Sequence, residues 1–123
     1  MAFNLNTMLG SSENQIQQIP VEQLVPYYKH PFKLYDGERL SDMVESIRQN
    51  GVLVPIIVRP CMGDYEILVG HNRWNASKLA GLAAVPAIVK NGLTEEEAEM
   101  YVVESNLMQR GFDNLKISEQ AAV

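Results

Sequence analysis

A chain of 123 residues with 46% apolar content is long enough for one domain around one core, burying roughly two-thirds of the surface that its unfolded form exposes. Ten Lys and Arg against fifteen Asp and Glu leave a net charge of −5, so no overall positive field draws the chain to a polyanion such as DNA. One cysteine, Cys61, excludes an internal disulfide framework and a cysteine-rich zinc site, and no segment approaches the ~18 apolar residues of a membrane span; a cytoplasmic protein is expected.

Residues 1–14, rich in Asn and Ser, show no period and are expected to be a flexible lead-in. Gln15 to Pro20 predicts a short edge strand ended by its proline, with one helical turn after it from Val21 to Leu24. Pro26, Tyr27, Tyr28, His30, Pro31 and Phe32 make a loop, because each proline removes a backbone donor and fixes its φ angle. Leu40, Met43, Val44 and Ile47 recur at spacings of three and four, which predicts an amphipathic helix over Glu38 to Asn50 stopped by Gly51. Val52 to Pro60, nearly all apolar and β-branched, predicts a strand covered on both faces; a turn over Cys61 to Asp64 leads to a second strand, Tyr65 to Val69. The turn Gly70-His71-Asn72-Arg73 opens a second helix that runs to Gly81, and Ala84 to Val89 is a further strand. Thr94 caps a long third helix, with Glu97 completing a capping box. That helix is expected to turn Ala98, Tyr101, Val102 and Leu107 inward and to stop at Gly111. Ser118 starts another helix of barely one turn, too short to stand alone, so residues 117–123 are expected to lead into a region beyond this chain. Residues 15–116 form the expected domain, of α+β class.

Two constellations bear chemistry. A glycine lets backbone approach a phosphate closely, a helix start offers unpaired N–H groups and a positive dipole, and Arg73 carries a two-pronged donor, so Gly70 to Arg73 suits an anion. The bland reading is a turn glycine with a surface arginine. At the end of the third helix, Glu104, Asn106, Gln109 and Arg110 supply oxygens for a hard cation and donors for phosphate; the bland reading is a solvated helix end.

A resemblance covers residues 16–123. LSDMVESIRQNGVLVPIIVRP, with Ser46-Ile47, Gly51 and Pro55-Ile56, resembles the helix-then-strand opening of the ParB family's N-terminal domain. YEILVGHNRWNASKLAGLAAVPAIV is similar to that family's stretch around Gly-Glu-Arg-Arg-x-Arg-Ala, matched by Gly70, Arg73 and Ala76. His71, Asn72 and Asn75 depart from the glutamate, first arginine and third arginine of the pattern, which weakens neutralisation of a triphosphate. ESNLMQRGFDNLKISEQAAV resembles the Glu-Asn-Leu-Gln-Arg box and the helix leading to a helix-turn-helix. The resemblance implies a small mixed sheet flanked by helices, of ParB/sulfiredoxin type. It also implies a switch domain for CTP or another nucleotide with Mg²⁺, with Val54, Pro55 and Ile56 near the base, Gly70, His71, Asn72 and Arg73 near the phosphates, Gln109 and Arg110 in the same site, and Glu104 with Asn106 near the metal. The partners it implies are DNA through a C-terminal region, a second copy in a homodimer and a partition ATPase, at the nucleoid or on a plasmid.

Other readings stay open beside it. A kinase or nuclease on this scaffold would need a general base, for which His71, Asp64 and Glu104 are candidates, and turnover of the nucleotide would be slow at most. Sulfiredoxin shares the resemblance, but its nucleophilic cysteine stands in the phosphate turn, whereas Cys61 lies in the hairpin turn ten residues earlier. Tyr27, Tyr28, Phe32 and Trp74 would serve a protein-interaction module if they formed a patch rather than filling core.

Overall fold

The structure is a computed structural model that describes residues 15–29 and 33–107. The expectations for residues 1–14, for His30, Pro31 and Phe32, for Gln109 and Arg110, and for the closing helix at Ser118 lie outside the described residues.

Strand β1 (Ile16–Pro20) runs into a 3-10 turn (Val21–Gln23), as the proline at its end predicts. A two-residue strand the sequence did not announce, β2 (Leu24–Val25), follows. Helix α1 (Gly37–Asn50) ends at Gly51 in a positive-φ conformation. The hairpin of β3 (Ile56–Cys61) and β4 (Asp64–Val69) is followed by helix α2 (His71–Leu79), strand β5 (Ala84–Val89) and helix α3, residues 95–107. The strands make one mixed sheet in the order β1-β5-β3-β4-β2, with β1/β5 and β3/β4 antiparallel and β3/β5 and β2/β4 parallel. The α+β class is therefore as expected.

Three strands contain a proline; Pro20 is the last residue of β1, and the other two sit where the ladder between β3 and β5 tolerates them. Pro86 of β5 precedes Ala87, where pairing with β3 begins, and Pro60 of β3 follows Val58, where that pairing ends, so neither faces a partner on that side that needs its missing donor. The predicted strand from Val52 is shorter than expected and starts only at Ile56. Pro55 restricts Val54 before it and gives no N–H to a neighbour, so Val52 to Pro55 forms a separate connecting segment in which Leu53 and Val54 are exposed.

Ile19, Leu24, Ile56, Val58, Ile67, Trp74, Val85, Ala87 and Val89 form one core cluster, on the sheet face that carries α2. Tyr27, Leu68, Ala98 and Val102 form a second, on the face that carries α3. A register shift makes both possible: Val58 pairs with Ile67 but Ile57 pairs with Val69, so Leu68 is an extra residue in β4. Ile67 thus joins the α2 face and Leu68 the α3 face, each fully buried. Burial of side chains of this size contributes about 1.5–3 kcal/mol each. On α3, Ala98, Tyr101 and Val102 turn inward as expected, but Leu107 is 57% exposed, because five positions after Val102 the helix has rotated it out of the inward stripe.

Candidate functional site

The sequence Gly70-His71-Asn72-Arg73 is the first turn of α2 itself, with only Gly70 outside it. Gly70 is held in the left-handed region at φ 105°, and a Cβ there would lie 2.5 Å from Ile56 Cγ2. Only glycine meets both conditions, so the residue is explained by the close packing of β3 against the strand end as well as by any ligand. No side chain caps α2, and its start carries the positive end of the dipole, which favours an anion.

Each of the next three residues reaches back to a different part of the chain. His71, 3% exposed, accepts the Tyr27 N–H on Nε2 at 3.1 Å. Asn72 Oδ1 accepts the Tyr35 N–H at 2.7 Å. Arg73 NH1 donates to the carbonyls of Val54 at 2.8 Å and Pro55 at 3.0 Å. Ser77, fully buried, donates its hydroxyl to the Arg73 carbonyl at 2.6 Å, which steadies that turn. Burial pulls the Arg73 guanidinium below its usual value, though an arginine at any such position stays charged. The first turn of α2 is thus a clasp that gathers the segments at 27, 35 and 54–55, and it brings Val54, Pro55 and Ile56 together with Gly70 and Arg73. Sequence reasoning took His71, Asn72 and Arg73 as groups pointing at a ligand; the polar atoms named here are bonded to the chain. Beside Tyr35, a hollow of about 370 Å³ is lined by Lys33, Leu34, Tyr35, Asp36 and Arg39, with the Arg39 guanidinium over the Tyr35 ring.

Glu104 and Asn106 both lie on α3, but two residues correspond to roughly 200° of helical rotation. Glu104 is exposed on the outer side with Glu96, Glu99, Met100 and Val103, while Asn106 is half-buried on the inward stripe. Oxygen donors of this type suit Mg²⁺, but as helical neighbours these two do not converge on one ion. Among the described residues no group of three or more His, Cys, Asp or Glu forms a metal cluster.

A buried charge network went unread in the sequence. Glu66, 2% exposed, accepts Arg59 Nε at 2.6 Å and the Tyr28 N–H at 3.0 Å, and Arg59 NH2 also binds Glu95 Oε2 at 3.1 Å. The Tyr28 hydroxyl donates to Glu95 Oε1 at 3.2 Å. Burial works to lower the Arg59 pKa, but the hydrogen bond and charge of Glu66, then those of Glu95, outweigh it and hold the guanidinium above its usual value. A signal existed: counted outward from the hairpin turn, Arg59 and Glu66 are directly opposite, and opposite charges there are a favourable cross-strand pair.

Fold and clasp define a small α+β domain whose mixed sheet presents an uncapped helix start bound by three chain segments. Residues 6–106 match the ParB N-terminal domain, and the chain belongs to that family, as the resemblance read from the three sequence stretches implies. It is 42% identical over 110 residues to a probable chromosome 2-partitioning protein ParB of Deinococcus radiodurans, covering 89% of this chain and 36% of that protein. The chain spans only about a third of the length of the curated relatives it matches. The C-terminally truncated ParB of Caulobacter crescentus, solved with CTP-gamma-S, superposes with a TM-score of 0.70 and 34% identity, over 77% of this chain and 54% of that one. Sulfiredoxin from Arabidopsis thaliana shares the fold at a TM-score of 0.58 and 26% identity, over 72% of this chain and 97% of its own. Cys61 closes β3 at the hairpin turn, the end remote in sequence from Gly70, so this thiol does not occupy the start of α2. Among the described residues, no helix is long and apolar enough to cross a membrane.

Proposed function

We propose that this domain binds a cytidine triphosphate at the start of α2 and acts as the nucleotide switch of a longer ParB-like protein, whose remaining part contacts DNA and which works as a homodimer with a partition ATPase. The observation that carries the reading is the clasp: Gly70 and an uncapped helix start, with Val54 to Ile56 fastened beside them by Arg73, in a chain related to a ParB solved with a CTP analogue. The N–H groups and dipole of α2 receive the phosphates. Arg73 fixes the 54–56 segment, exposed at Val54, where the base rests, and contributes its positive charge nearby. His71 and Asn72 shape the site through the backbone of Tyr27 and Tyr35 rather than by adding charge. Gln109 and Arg110 complete the phosphate side. Mg²⁺, when bound, neutralises phosphate charge; Asn106 on the inward stripe of α3 and Glu104 are its candidate ligands, and their engagement together requires α3 to change near its end. The reading favours a switch over an enzyme because the polar groups of the α2 start are spent on holding the chain.

Calorimetric titration of the chain with CTP, ATP and GTP, each with and without Mg²⁺, tests this. CTP with Mg²⁺ is expected to give saturable heat, and Arg73→Ala to weaken it by about tenfold or more, the loss of one charge-assisted hydrogen-bonding group. Absence of heat with every nucleotide overturns the reading.

A further inference from the structure

Two adjacent residues outside the candidate site tie it to α3. The Tyr27 backbone N–H holds His71, the first residue of α2, in a buried hydrogen bond, while the Tyr27 ring packs with Leu68, Ala98 and Val102. The next residue, Tyr28, holds Glu66 through its own N–H and Glu95 through its hydroxyl. Arg59 closes the circuit between Glu66 and Glu95. A shift of α3 over the sheet must therefore move the Tyr27 ring or break the bonds of Glu95, and a shift of the α2 start must strain the Tyr27 bond.

We propose that the Tyr27–Tyr28 dipeptide is the link through which the state of the α2 start is passed to α3. The two halves of the link differ in strength, which decides which of its bonds release. Arg59 and Glu66 have side chains 13% and 3% exposed, and an ion pair out of water is kept. The Glu95 side chain is 64% exposed, so its bonds to Arg59 and Tyr28 are screened and are the ones that release. When Glu95 lets go, the Arg59–Glu66 pair stays on the hairpin and α3 moves on its remaining seat, Ala98 and Val102 against the Tyr27 ring. The same movement reorients the end of α3 that carries Glu104 and Asn106, which as helical neighbours face different ways. The link itself stands on the hydrogen bonds and packing; only the signal that drives it rests on the nucleotide reading.

Hydrogen exchange read by mass spectrometry on the 123-residue chain tests the link without any ligand. His71→Phe removes the acceptor and is expected to lower protection of amides in residues 95–107 by about fivefold or more, the low end of ordinary site-to-site coupling. Lys78→Ala, an exposed change at the far end of α2 where the side chain lies over the Trp74 ring, is expected to leave those amides unchanged. Equal protection of α3 in wild type and His71→Phe, or an equal loss in Lys78→Ala, overturns the link. Because His71→Phe could simply unfold, a second variant reads the reverse direction: Tyr28→Phe with Glu95→Gln, both at the surface, should alter protection of residues 71–79. No change there also overturns it. With CTP and Mg²⁺, wild type should change protection in 95–107 and the double variant should keep the heat of binding but lose that change. If no nucleotide binds wild type, the functional reading fails alone, and the ligand-free comparisons still decide the link.

Discussion

Tyr27 places its phenol in the interior, 2% exposed, where Tyr27 Oη has no hydrogen-bond partner among the described residues. Burial raises its pKa above the ordinary 10.0, and the neighbouring Tyr28, Glu99 and Glu95 push it the same way. The sign of the consequence is fixed: between the unfolded and folded values, the folded state holds a proton the unfolded state has lost. Tyr27 therefore contributes its full share of stability below pH 10, and that share is lost as pH rises toward the folded value. Tyr27→Phe keeps the ring against Ala98 and Val102 and discards the unpaired hydroxyl, so near neutral pH it should match or exceed wild type, within about 1 kcal/mol. Urea midpoints at about pH 8 and about pH 10.5 check this, because the wild type should fall further than the variant over that interval. A parallel fall in both proteins would show that Tyr27 does not carry the alkaline loss. At this scale one residue joins two helices: the Tyr27 backbone N–H holds His71 of α2 and its ring packs against α3.

The hairpin of β3 and β4 is joined to α3 by one charge network rather than by apolar contact alone. Removing Arg59 would leave the Glu66 carboxylate buried with only the Tyr28 N–H, and breaking such a pair costs about 3–5 kcal/mol. Arg59→Met is thus expected to lower unfolding stability by that amount, and adding Glu66→Gln, which keeps an acceptor for Tyr28 without the charge, should restore a large part of it. Denaturant unfolding of the two variants measures this; a loss under about 1 kcal/mol for Arg59→Met would mean the carboxylate is solvated despite its position. How far such features could be read beforehand follows from their physics. α1 was legible because Leu40, Met43, Val44 and Ile47 repeat with the helical period, and Thr94 with Glu97 announced α3, whose two capping bonds measure 2.9 and 3.1 Å. The start of β3 was not, because apolar content at Val52 to Val54 argued for strand while Pro55 set the backbone. In the candidate site, the importance of Gly70 and Arg73 was legible from residue type, but the inward attachment of His71, Asn72 and Arg73 depends on segments distant in sequence, which no local pattern reports.

Taken as one body, the domain buries both faces of the central part of its sheet, and the chain as a whole is acidic, with a net charge of −5. Its cations are also largely engaged: Lys33 and Arg48 pair with Asp36 and Glu45, and Arg59 with Glu66 and Glu95. Arg73 turns to backbone carbonyls, and Arg39 and Lys78 lie over the rings of Tyr35 and Trp74. Affinity for duplex DNA comes mainly from free Lys and Arg that displace counterions from phosphates, and its signature is a steep fall with salt. Among the described residues few such groups are offered, and each must work against the negative field of the whole chain. On the proposed reading the domain acts as a switch, and the grip on DNA is assigned to the rest of a longer protein. The 123-residue chain alone, titrated to about 100 µM against a fluorescent duplex at about 0.15 M salt, should therefore give no saturable change in anisotropy, since even ordinary non-specific binding lies at or below that concentration. Adding CTP with Mg²⁺ should not create one, because the nucleotide brings more negative charge. Saturable binding in the micromolar range that weakens steeply with salt would place a DNA-binding surface on this domain and contradict the division of labour.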